Sequence, residues 1–292
     1  MTYDYLTYIP RFCAEIGFPE EAAAALCEAF TALQSAALGD LVNDYDADRP
    51  IDHAAALDAV KLQADACSVR WETAHLLLYV CFSRRLRERY AEAGLDDALF
   101  LRAMDDLRCK LFECHRMYGV WGSFVAAWFC RFFDMTRFAL GRLQYEPDIY
   151  DGPTYTVGNR TLQKGDPVLN VHIPSSGPLL RDEVLASYAQ AKVFFAAHFG
   201  DKPPVCMCHS WLLNPAIADM LPASSRIVQF ASDFTVTRVD PDPNFGDAWR
   251  LYNMEYTGDP AALPRDTAFR RAYADHLASG GVAAEGFGIL YL

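Results

Sequence analysis

The chain has 292 residues, 52% of them hydrophobic and 22% charged, which gives enough apolar mass for more than one packed unit and excludes an intrinsically disordered chain. A formal net charge of -12 opposes nonspecific attraction to a nucleic-acid backbone or to anionic lipid, so neither nucleic acid nor a membrane is an expected partner. The nine cysteines are odd in number and residues 1–10 have neither the basic start nor the apolar core of a signal peptide, so reduced thiols and a cytoplasmic location are expected.

Along residues 19–42, Ala22, Leu26, Phe30, Leu33 and Ala37 recur at helical spacing, with Glu20 and Glu21 where the helix dipole favours acid. One amphipathic helix is predicted there. The period continues through residues 52–66, 69–93 and 96–117, with Gly94 as a stop signal. The apolar run 76–82 is too short to span a bilayer and reads as core. Arg84, Arg85, Arg87 and Arg89, interleaved with Leu86 and Tyr90 and followed by Glu92, read as the solvated face of a helix. Gly119 and Gly122 bracket Trp121, and Ser123 is placed to cap a last helix through Phe124, Trp128, Phe132 and Met135. Residues 1–136 are therefore expected to form an all-helical domain, its aromatic end making a tight joint with the C-terminal half of the chain.

Near residue 137 the pattern changes. Residues 138–145 and 168–173 read as strands, with a strand end and turn at 161–165, a helix over 180–199 and a strand over 205–212. A short helix over 215–221 and a long strand over 227–239 follow, then helices near 248–254 and 265–278 and a final strand over 286–292. The fold class is α+β, a helical domain followed by a mixed α/β sheet domain over 137–292.

The junction VLNVHIPSSGPLL, residues 168–180, leads a strand through small residues into a helix. Such a turn exposes backbone N–H groups beside the positive end of a helix dipole, which suits a phosphate. Gly177 permits close backbone approach, Pro178 fits the first helical turn, and Ser175 or Ser176 could equally serve as a plain cap. No Walker motif and no G-x-G-x-x-G is present. Strand alternation sends Cys206 and Cys208 to one face and His209 to the other, so no metal is expected.

The order of a strand hairpin, a strand ending in a small-residue turn, a long helix and a splayed strand resembles the GNAT fold. FALGRLQYE at 138–146, NVHIPSSGPL at 170–179 and CHSWLLNP at 208–215 resemble a bacterial group of two-domain acyltransferase-domain proteins, with a helical N-terminal domain and a GNAT-like C-terminal domain. The resemblance implies an acyl-CoA or acetyl-CoA cosubstrate with its pyrophosphate at Ser175, Ser176, Gly177, Pro178 and Leu179. It also implies direct transfer of the acyl group to the amine of a small molecule or peptide.

Direct transfer needs a base for the amine, and His172, His209 and Glu146 are the candidates, with Asn170, Ser210 and Trp211 beside them as substrate contacts. Asp233, Arg238, Tyr252 and Tyr256 lie where related enzymes keep an acid. The turn departs from the family pattern in having one glycine and a proline, which motivates the alternative of a noncatalytic binding or scaffolding protein. A serine hydrolase using Ser210 lacks the flanking glycines of a nucleophile elbow.

Overall fold

The computed structural model describes residues 3–292, which form two compact units, 3–138 and Ala139–Leu292. The first contains helices α1 (Tyr5–Glu15), α2 (Glu20–Leu33), α3 (Ala37–Asp46), α4 (His53–Ala66), α5 (Trp71–Glu92), α6 (Asp97–Tyr118) and the short α7 (Cys130–Phe133). Sequence periodicity gave no sign of α1, whose interior holds Pro10. The helix forms because Asp4 caps it, accepting the Thr7 N–H, and because Tyr5, Ile9, Phe12 and Cys13 bury one face.

The single helix expected over 19–42 is two, bent by 101° at the break between α2 and α3. The Gln63 side chain compensates the backbone groups freed there, donating to the Leu33 carbonyl at 2.7 Å and accepting the Leu38 N–H at 2.9 Å. No spacing rule reveals a partner that comes from another helix. Among the described residues, no single helix is long and apolar enough to cross a membrane.

Helix α5 is the hub of this unit, packing against α1 to α4, α6 and α7. Every residue from Glu72 to Ser83 is buried, so the helix is enclosed on all sides rather than amphipathic, and the run 76–82 is core. Gly122 is required beside it, because a Cβ there would sit 2.4 Å from the Glu72 carbonyl carbon. Trp121 stacks on His115 at 3.6 Å and the Arg137 guanidinium covers Trp128 at 3.9 Å. The helix expected from Ser123 shrinks to a 3-10 turn at Ala126–Phe129 and α7, although the Ser123 hydroxyl does accept the Val125 N–H.

The basic run on α5 is more than a solvated face. Arg84 pairs with Asp46 of α3, Arg85 with Asp48 just beyond it, and Arg87 with both Glu15 of α1 and Asp97 of α6. These arginines fasten neighbouring helices to the hub. Such part-exposed pairs are individually worth up to about 1 kcal/mol.

The second unit runs β1 (Phe138–Leu140), β2 (Leu143–Ile149), β3 (Tyr155–Val157), β4 (Arg160–Leu162), β5 (Pro167–His172), α8 (Arg181–Phe194) and α9 (Ala196–Phe199). It continues with β6 (Val205–Ser210), α10 (Ile217–Met220), α11 (Arg226–Ala231), β7 (Thr235–Pro241), α12 (Ala248–Tyr252), α13 (Ala268–Ala278) and β8 (Ala284–Tyr291). The strand expected over 138–145 is split by Gly141, whose φ of 69° makes the turn between β1 and β2. The strand expected over 227–239 begins as helix α11 instead, where buried Phe230 packs on Phe234. A short apolar run with β-branched residues fits either period, and packing against α8 decides it.

Six strands form a sheet in the order β1-β2-β5-β6-β8-β7, while β3 and β4 make a separate hairpin. All of the central pairings are antiparallel except β5 with β6. Helix α8 covers the face that carries Tyr145. Its Ser187 is fully buried, donates to the Leu140 carbonyl, accepts the Leu143 N–H at 3.2 Å and bonds the Tyr145 hydroxyl at 2.9 Å. Ser187→Ala strands three buried polar groups, so a loss of about 3 kcal/mol is expected in urea unfolding. Tyr145→Phe, which removes one of them, should cost less.

Candidate functional site

The parallel pair β5 and β6 joins only through Leu169 opposite Cys206 and Asn170 opposite Met207, although the strands run on to His172 and Ser210. Their carboxyl ends therefore part. In open α/β sheets the crevice beyond such ends is where ligands bind. Register puts Asn170, His172, Met207 and His209 on one face of the sheet, away from α8, because the pleat alternates and Asn170 faces Met207.

On that face Glu146 of β2 lies opposite Asn170, and His172 is its diagonal neighbour. His172 Nε2 is 3.4 Å from Glu146 Oε2, and both side chains are largely buried. His209 lies opposite Phe287 of β8, and its Nε2 is 3.2 Å from Glu285 and 3.3 Å from Asp240. Burial, with Asp247 nearby and partly offset by His209, holds the Glu285 carboxyl above its ordinary range. The fold thus brings together His172, Glu146 and Asn170, and separately surrounds His209 with acids. Glu285 and Asp240 were missed by sequence reading, and only β-strand alternation around them offered a signal.

The small-residue turn follows β5. Ser175, Ser176, Gly177 and Pro178 are exposed, while Leu179 buries its side chain and can offer a ligand only its backbone N–H. Helix α8 starts at Arg181 with Leu180 as its N-cap and no side-chain cap, so Pro178 lies outside the first helical turn and neither serine caps the helix. Two local expectations are corrected here. Leu180 adopts an extended conformation and delays the helix beyond the proline.

Arg142, from the β1–β2 turn, shapes this segment. Buried to 9% exposure, it donates from Nε to the Pro178 carbonyl at 2.9 Å and from Nη2 to the Gly177 carbonyl at 2.6 Å. In a trans peptide the N–H opposes the C=O, so fixing the Pro178 carbonyl inward directs the Leu179 N–H outward. Arg142 also places positive charge beneath the turn. Asp182 and Glu183 occupy the first turn of α8 and take up part of its dipole, while Arg181 is engaged by Asp233 at 2.6 Å.

The remaining candidates take other roles. The Ser210 hydroxyl accepts the Leu212 N–H and starts the 3-10 turn Trp211–Leu213, and Trp211 stacks on Phe269. Ser210 and His209 are strand neighbours on opposite faces, which gives no serine-histidine pair. Asp233 bonds Tyr188 and Arg181 on the α8 side, and the Tyr252 hydroxyl donates to the Arg270 carbonyl. Tyr256 packs on Phe245, and Arg238 pairs with Asp240. Cys206 and Cys208 are fully buried; burial pushes the Cys208 thiol up to about 12 and that of Cys206 higher still, which disfavours thiolate chemistry.

Residues 138–290 match the model of the GNAT-like C-terminal domain, and residues 7–135 match that of the N-acyltransferase N-terminal domain. The chain belongs to the GNAT-like family. Its helical unit is the N-terminal domain that accompanies the GNAT-like sheet. No curated protein matches the chain. Solved structures of similar fold include an acyltransferase in complex with decanoyl-CoA and teicoplanin, at 23% identity and TM-score 0.75. Others are an acyltransferase with CoA and 10C-teicoplanin, at 22% and 0.75, and one with decanoyl-CoA, at 22% and 0.74. Each likeness covers 97% of this chain and 87% of the other. Together they show that a helical unit followed by a GNAT-like sheet unit is an architecture shared with these structures.

Proposed function

We propose that this GNAT-like protein transfers an acyl group from acetyl-CoA or a longer acyl-CoA directly to the amine of a small molecule or peptide. The observation that carries the reading is the parting of β5 and β6 beside an exposed turn, with two carboxylate-paired histidines on one face of the opening. The acyltransferases of like fold were solved with CoA, decanoyl-CoA and teicoplanin, which supports an acyl-CoA donor and a peptide-like acceptor. No metal is assigned a role.

In the reaction, a histidine accepts a proton from the acceptor ammonium, and the freed amine attacks the thioester carbonyl. The oxyanion collapses and the C–S bond breaks, and the proton that the attacking nitrogen gives up on becoming an amide is taken by the departing thiolate, which leaves as CoA. Exposure favours His209 as the base, since its side chain is 40% exposed against 15% for His172. With Nε2 of His209 held by Glu285 and Asp240, its Nδ1 faces the acceptor. His172, held by Glu146, borders the donor beside the turn, and Asn170 lies one step back along β5, opposite Met207.

Calorimetry with CoA and decanoyl-CoA tests the donor. Saturable binding is expected, and its absence at millimolar concentration would leave a noncatalytic scaffold as the reading. Arg142→Lys keeps the charge and loses the two-nitrogen grip on the turn, so CoA affinity should fall about tenfold. Pantetheine, which lacks the pyrophosphate, should bind the variant and the parent alike. Equal weakening of both ligands would assign Arg142 to general folding.

A further inference from the structure

The helical unit holds a cavity of about 500 Å³ bordered by Tyr45, Asp48, Ile51, His53, Arg89 and Met135, a size that suits a small organic molecule. Arg89 donates from Nη1 to both the Tyr45 hydroxyl and the Phe133 carbonyl, each at 3.1 Å, and its guanidinium lies 5.6 Å from the Tyr45 ring centre. One nitrogen is thereby anchored. Among the described residues, Nε and Nη2 donate to no protein atom, and Arg89 has no carboxylate partner, unlike Arg84, Arg85 and Arg87. Those two N–H groups form one edge of the guanidinium, the fork that receives a carboxylate through two parallel bonds.

The backbone around the cavity agrees with a built site. Asp48 and Met135 adopt φ of 55° and 57° just past α3 and α7, positions where glycine is the ordinary choice. Each keeps a side chain there, Asp48 binding Arg85 and Met135 lining the cavity. Asp48 and Glu92 are paired with Arg85 and Asp134 bonds His53 at 3.1 Å, so Asp48 reaches Arg89 only through longer-range charge and, among the described residues, no carboxylate sits against its guanidinium edge. The carboxylates of Asp48, Glu92 and Asp134 along the wall repel a dianion and tolerate a single negative charge.

We infer that this cavity binds a small organic monocarboxylate, its two oxygens on Nε and Nη2 of Arg89 and its apolar body against Ile51 and Met135. The site is separate from the acyl-CoA reading, and failure of either leaves the other standing. Calorimetric titration of the full chain with N-acetyl-L-leucine, its uncharged amide and inorganic phosphate tests it. Saturable binding of the acid is expected, with the amide and phosphate at least about tenfold weaker, as is usual when a charge-assisted bond is lost.

Arg89→Gln should weaken the acid by a similar factor. Ile51→Trp fills the cavity without touching the Arg89 hydrogen bonds, so it should abolish binding while the thermal midpoint stays put, and it decides the matter if Arg89→Gln fails to fold. No binding of the acid up to about 10 mM, the weak limit for a specific small-ligand site, would overturn the inference. So would equal affinity for the amide, tighter binding of phosphate, or full affinity in Ile51→Trp.

Discussion

In His209→Gln, the acyl-transfer rate falls about 10²-fold or more while acyl-CoA affinity stays within about twofold. Glutamine keeps the size and a hydrogen-bonding edge toward Glu285 and Asp240 but cannot take a proton from the acceptor. Single-turnover rates with saturating acyl-CoA, set beside calorimetric Kd values, separate proton transfer from binding. A matched loss of CoA affinity would instead make His209 a binding residue. His172→Gln should act mainly on the donor side, and full activity in both variants and in the double variant would move the base to Glu146.

The second large effect is structural and bears on the same crevice. A Cβ at Gly286 of β8 would lie 2.2 Å from the Leu213 carbonyl oxygen and 2.6 Å from its carbon, so Gly286→Ala cannot be accommodated by a side-chain shift. Gly286 is the partner of Ser210 in the β6–β8 ladder, and the 3-10 turn Trp211–Leu213 folds directly over it. Overpacking against a backbone atom should cost about 3 kcal/mol, at the upper end of the usual range. Gly246→Ala, whose Cβ would meet only Asp242 at an ordinary 3.5 Å, should stay within about 0.5 kcal/mol of the parent. Paired urea titrations check both, and equal midpoints for the two variants would contradict the packing argument.

The two effects share a cause. The glycines at 286 and 288 let the chain leaving β6 lie flat on β8, and that close approach sets where His209 ends relative to Glu285. A shift of β8 would move Glu285 and Phe287 together, so Gly286→Ala in any folded fraction should also reduce activity.

Much of this architecture is legible in local spacing, because periodicity depends only on which residues repeat. Helices α4, α5 and α6, the buried run 76–82, the change to strands near 137 and the strand ending in a small-residue turn all follow from the order of apolar and turn-forming residues. The strand placement of His172 and His209, and the opposite facing of Cys206 and His209, follow from alternation alone.

What the chain order could not reveal was decided by partners distant in sequence. Gln63 sets the break between α2 and α3, packing turns 226–231 into a helix, and a residue in the β1–β2 turn, Arg142, holds the carbonyls of Gly177 and Pro178. Glu146 reaches His172 only through the β2–β5 register, and Glu285 and Asp240 reach His209 only because β8 lies between β6 and β7. A hydrophobic period states which face of an element is buried. It carries no information on which strand becomes the neighbour, and electrostatic partners are fixed by that neighbour, since the interaction depends on separation in space.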